Sequence, residues 1–148
     1  MNKGLIIGAA ILFAVSCGSN NNTETSEEAT SAPVDSMFQQ VMDGHDAAMA
    51  KMGKLKSYRK QFDQKVDSLK KVKSSAKNEL SERYSDMSNA LKVAEDRMNT
   101  WMEEFSIDSA TEDVGRRLKY LSGEKLKVDS VRDEILTVLS RADSLLKK

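Results

Sequence analysis

"KKVKSS", residues 70–75, decides how this chain folds. On both sides of it apolar residues recur at intervals of three and four, the spacing of one helix face. The stretch therefore either breaks one helix into two or lies inside a single one. Its polarity suits a turn, and Ser74 or Ser75 suits the cap of a new helix. It holds neither glycine nor proline, however, and the heptad phase nearly carries through it. An unbroken helix over residues 36–105 would be about 105 Å long at 1.5 Å per residue, and it would bury its stripe only by pairing with a second copy. Near-equal segment lengths favour a hairpin. The expectation is thus an all-α, antiparallel, coiled-coil-like three-helix bundle with helices over about 36–72, 75–105 and 110–147.

The first stripe runs through Val34, Phe38, Val41, His45, Ala48 or Met49, Met52, Leu55, Phe62, Val66 and Leu69. Arg59 alone interrupts it, and Ser36 with Gln39 has capping-box spacing at its start. The second passes through Ala76, Leu80, Tyr84, Met87, Leu91, Ala94, Met98, Trp101 and Phe105. The third follows "SIDSATED", residues 106–113, where Ser109 and Glu112 make another capping box. It takes in Val114, Leu118, Leu121, Val128, Val131, Ile135, Val138, Ala142 and Leu145. The one proline, Pro33, precedes every one of these positions, so the strongest helix breaker is absent from all three stripes.

Upstream, "MNKGLIIGAAILFAVSCGSN" opens with Lys3 and an apolar run from Leu5 to Val15. Eleven or so residues fall well short of the roughly twenty that span a bilayer, which suits a signal peptide rather than an anchor. "AVSC", with small Ala14 and Ser16 before Cys17, resembles the lipobox of bacterial lipoproteins. That resemblance implies cleavage before Cys17, lipid attachment at its thiol and acylation of the new amino terminus. Cys17 is the sole cysteine, so no disulfide within the chain competes for it. Several acyl chains give a stable hold at roughly 0.8 kcal/mol per buried methylene. Residues 17–35 follow as the lipidated cysteine and a tether, rich in Asn, Ser, Thr and Glu, with no base and little to bury, which predicts disorder. A flexible tether of this length would hold the body about 20–25 Å from the membrane. By the same lipoprotein resemblance, Gly18 beside the cysteine and no acid before Glu24 favour the periplasmic face of the outer membrane.

The whole chain carries 23 basic and 23 acidic residues; losing residues 1–16 removes Lys3 alone and leaves a net charge of minus one. Such a balance offers no footprint for nucleic acid. The expected partners are the membrane, through the lipid, and either an envelope protein or a second copy. One histidine, no glycine-rich phosphate loop and no zinc-spaced Cys or His pair argue against an enzyme.

"GHDAAMAKMG", residues 44–53, holds that histidine, with Met49 and Met52 on the same helical face. With a turn near residues 73–74, His45 comes level with Met102 and Met49 with Met98, and Trp101 falls in the same layer. A second turn near 109 brings Arg116, Arg117 and Tyr120 to that end, while Gly44 and Gly115 would leave room for the indole. Two readings stay open for the layer. Imidazole and thioethers suit Cu(I) or Ag(I), with His45, Met49, Met98 and Met102 as ligands and Trp101 as an aromatic lid. The same residues equally suit core filling with no cofactor, since methionine packs well in irregular gaps.

"HDAAMAKMGKLKSYRKQF" and "AEDRMNTWMEEF", followed by "YLSGEKLKV" and "ADSLLKK", resemble a group of small lipoproteins from Bacteroidetes often labelled "viral A-type inclusion protein". The match covers most of the chain after the tether. It implies a lipid-anchored helical protein of uncharacterised role and no particular activity; the interleaved acids and bases of "SERYSD", "VAEDR" and "VDSVRDE" make a structural or protein-interaction role in the cell envelope the expected one.

Overall fold

The computed structural model describes residues 24–71 and 75–147. The signal peptide, Cys17, the first part of the tether and residues 72–74 lie outside them. Three helices make up the fold: α1, Glu24–Lys70; α2, Ser75–Glu104; and α3, Val114–Leu146. No strand occurs among the described residues.

The helices run up, down and up. Along α1 the partners on α2 descend in number: His45 meets Trp101, and Phe62 meets Tyr84. Partners on α3 ascend, from Gly44 with Val128 to Tyr58 with Asp143. The chain therefore turns back after Lys70, and the unbroken 36–105 helix is excluded. The core is the expected seam: Val41, Ala48, Leu55 and Phe62 of α1, Leu91 and Met98 of α2, and Leu121, Val128 and Ile135 of α3 are all at most 1% exposed. Each large side chain buried this way contributes roughly 1.5–3 kcal/mol.

Where the first stripe is interrupted, a charge pair replaces apolar contact. Arg59 Nη1 donates to Glu95 Oε2 at 2.9 Å, and Lys56 approaches the other carboxylate oxygen at 3.6 Å. The position is still inward-facing. It ties α1 to α2 through a guanidinium–carboxylate bond instead of a methyl surface.

Two boundaries differ from the sequence reading. α1 begins at Glu24, twelve residues before Ser36, so residues 24–35 are helical rather than an irregular tether, and Ser36 is not a cap. Pro33 lies inside this helix, and its missing N–H costs one backbone bond. Val34 and Phe38 pack onto the core.

α3 begins at Val114, not at 110. Ala110 has φ 57°, a left-handed conformation that no residue of a right-handed helix adopts. Asp113, extended at φ −143°, then takes over as the cap, its Oδ1 accepting from the Arg116 N–H at 2.7 Å. The Ser109–Glu112 box is displaced for that reason. Asp113→Ala should lower stability by about 1 kcal/mol, read as a shift in the urea midpoint at unchanged slope.

Candidate functional site

The predicted layer forms near the end of the bundle that carries the α2–α3 connection, and it is built around Trp101. The second stripe aims this residue inward at 5% exposure. Its ring stacks on Phe105 at 5.0 Å and 18°, and Phe105 in turn stacks on Tyr120 of α3 at 6.1 Å and on Phe38 of α1 at 6.5 Å. The His45 ring lies 5.8 Å from the indole, tilted by 37°. One aromatic column thus draws on all three helices. Its far end is tied to the α2–α3 connection, where the Ser106 N–H donates to Tyr120 Oη at 2.7 Å. Arg117, nearly buried, lies 5.8 Å from the Tyr120 ring centre and donates to the Ser109 carbonyl at 2.8 Å.

The indole N–H finds a partner that the sequence reading missed. Trp101 Nε1 donates to Glu124 Oε2 at 3.0 Å, and Lys127 Nζ donates to Oε1 of the same carboxylate at 2.8 Å. Glu124 is 5% exposed. The hydrogen bond from Lys127 to Glu124, reinforced by their opposite charges, raises the lysine pKa above its ordinary value. A signal for Glu124 was present: the third stripe steps from Leu121 to Val128, and the missing inward position between them is 124.

The candidate ligands are spread from the centre of the bundle to its surface. Met98 is fully buried, Met102 is half-buried against the core, and Met49 is 38% exposed because Ala48 takes the inward position. His45 is half-buried and comes beside Trp101, one residue from its expected level with Met102. Its Nδ1–H donates to Asp46 Oδ1 at 2.8 Å, which leaves Nε2 as the nitrogen able to accept or ligate. Among the described residues no group of three or more His, Cys, Asp or Glu side chains is placed to hold a metal.

Neither glycine makes room for the indole. A Cβ on Gly44 would meet Val128 Cγ1 at 2.9 Å, so this glycine permits close approach of α1 and α3. Gly115 is exposed and borders only Asp113. Arg117 and Tyr120 reach the layer as expected. Arg116 instead stays on the surface beside Glu112 and Asp113, because α3 starts four residues later than the capping box implied.

A second polar tie lies farther along α1 and α3. Tyr58 Oη donates to Asp143 Oδ1, and Lys54 Nζ donates to Oδ2 at 3.0 Å while sitting 4.8 Å from the Tyr58 ring centre. The Tyr58 hydrogen bond first, then that of Lys54, holds the Asp143 carboxyl below its ordinary value of 3.8. A depressed carboxyl pKa stabilises the fold above its unfolded value, and the benefit disappears as pH falls through the folded one. Asp143→Asn should therefore lower the melting temperature at pH 7. The difference from the parent should shrink steadily below about pH 4, which melting curves across pH will test.

No family model matches the chain, and neither the curated proteins nor the solved structures contain one similar to it. What the layer does must be argued from its chemistry. Its indole is bonded to a buried carboxylate and flanked by an imidazole, with a groove of about 460 Å³ on its outer side between Trp101, Thr100, Lys127 and Val131. Leu126, 71% exposed, stands at the rim of that groove.

Proposed function

We propose that the chain is a lipid-anchored protein of the cell envelope whose helical body works by holding or binding other molecules, not by catalysis. The observation that carries this reading is "AVSC" after an apolar run too short to span a bilayer, with Cys17 as the sole cysteine. No described helix is long and apolar enough to cross a membrane, so the lipid would be the attachment for that part of the chain. The resemblance to the small Bacteroidetes lipoproteins supports the same assignment, and the place it favours is the periplasmic face of the outer membrane. A structural or protein-interaction role fits long charged helix faces laced with pairs such as Lys92–Asp96 and Lys125–Asp129, together with Leu126 beside its groove.

Mass analysis of the native product tests the anchor. The expected species begins at Cys17 and carries lipid there, and Cys17→Ser should remain uncleaved and lose lipid incorporation. An unmodified Cys17 thiol would overturn the reading. Crosslinking the intact lipoprotein in its own envelope then separates an envelope partner from self-association.

A second reading, soft-metal binding, rests on the imidazole beside the indole with thioethers on both helices. Titration with Cu(I) under a competing chelator should quench Trp101 fluorescence, and Met98→Leu with Met102→Leu should abolish the effect. Failure to compete with the chelator would discard it.

A further inference from the structure

The geometry points to a binding site for a phosphate group between α2 and α3, far from the Trp101 layer. A groove of about 410 Å³ is lined by Arg83, Asp86 and Met87 on one helix and by Ser140, Arg141 and Leu145 on the other. Register places the two arginines together. If Trp101 lies opposite Glu124 and Phe105 opposite Tyr120, then Arg83 lies opposite Ala142 and Arg141 opposite Tyr84. The two arginines therefore line the groove from facing walls, within one helical turn of each other in register.

Their lack of partners sets them apart from the other five of the chain's seven arginines. Arg59 pairs with Glu95, Arg97 with Glu134, and Arg132 with Asp129 and Asp133. Arg116 pairs with Glu112 and Asp113, and Arg117 bonds the Ser109 carbonyl. Among the described residues only Arg83 and Arg141 have no acid or carbonyl of their own, although acids equal bases in number. Both line one groove. A guanidinium presents parallel N–H donors that match two oxygens of a phosphate, and two such forks from opposite walls leave little freedom in how the anion sits.

The rest of the lining narrows the ligand. Ser140 adds a hydroxyl, while the Ser144 hydroxyl is occupied, donating to the Ser140 carbonyl at 3.0 Å. Asp86 offsets one of the two positive charges, so the groove suits a singly charged phosphate diester better than a polyanion. Met87 and Leu145 supply an apolar edge along which an acyl chain can lie. The site stands independently of the lipid anchor at Cys17.

The test uses the full chain in dodecyl maltoside micelles, which contain no phosphate. Inorganic phosphate and dihexanoyl phosphatidylglycerol are titrated in turn while the arginine Nε–H resonances are followed. Saturable shifts at Arg83 and Arg141 are expected, with the lipid binding about tenfold or more tightly than the free ion. Arg83→Gln with Arg141→Gln should weaken binding at least about tenfold, and its helical circular dichroism should be unchanged because neither residue has an intramolecular partner to lose. Lys60→Gln with Lys119→Gln, which removes the same charge elsewhere, should leave the affinity within about twofold. Equal affinity for the two titrants would support the phosphate site and assign it to the free ion. No shift with either, or equal weakening by the lysine variant, would overturn the proposal.

Discussion

Trp101→Ala is expected to destabilise the bundle by about 3–5 kcal/mol, the range for removing a large buried aromatic ring. Against a total stability of about 5–15 kcal/mol, that is enough to leave the protein partly unfolded at moderate temperature. The loss has two separable sources. One is the ring itself, which stacks on Phe105 at 5.0 Å and abuts His45. The other is the indole N–H, whose removal deprives the buried Glu124 Oε2 of its donor. Trp101→Phe keeps most of the ring and loses only the N–H, so it should cost about 1–3 kcal/mol. Adding Glu124→Met to Trp101→Phe removes the unpaired Oε2 as well, leaves the exposed Lys127 to water, and should restore much of that loss, since replacing both buried partners by apolar groups is far cheaper than removing one. Urea denaturation with an unchanged slope provides the measurement. A cost below about 1 kcal/mol for Trp101→Ala would mean that the aromatic column is not packed as described.

The architecture was legible because apolar spacing and helix geometry share a period. The stripes through Phe62, Leu91 and Ile135 point inward by arithmetic alone, and all three residues are fully buried. The turn at 70–75 was harder, since its residues neither forbid nor demand a helix; the pairing of Phe62 with Tyr84 across the hairpin settles it. The candidate site was legible as a layer but not as a set of contacts. A one-residue uncertainty turns a helical side chain by about 100°, which separates a Met102 neighbour from a Trp101 neighbour for His45 and buried Ala48 from exposed Met49. Glu124 escaped notice because charged residues are assigned to the surface by default. Its carboxylate is inside because the indole N–H and Lys127 meet it there, and composition carries no record of that pairing. The same default drew the tether too long, since Pro33 and the polar residues around it read as irregular chain while the backbone continues as helix from Glu24.

Gly44→Leu should destabilise the protein by about 3 kcal/mol, the upper range for overpacking a close contact. Even the first added carbon meets Val128 Cγ1 at 2.9 Å and Asp129 Oδ1 at 3.2 Å. Neither neighbour yields easily. Val128 is fully buried with a branched, stiff side chain, and Asp129 is held by Lys125 at 2.5 Å and Arg132 at 2.6 Å. The longer side chain can be accommodated only if α1 and α3 separate, which also loosens the seam on either side of the contact. Gly44→Ala meets the same atoms with a single methyl, but it gains up to about 1 kcal/mol of helix propensity, so its net effect should be small. The decisive comparison is a double-mutant cycle. Val128→Ala alone opens a cavity and costs stability, yet combined with Gly44→Ala it should fill part of that cavity and return about 1 kcal/mol of coupling. Additive effects of the two substitutions would show that a side chain at Gly44 does not meet Val128, and the clash expected for Gly44→Leu would fail with it.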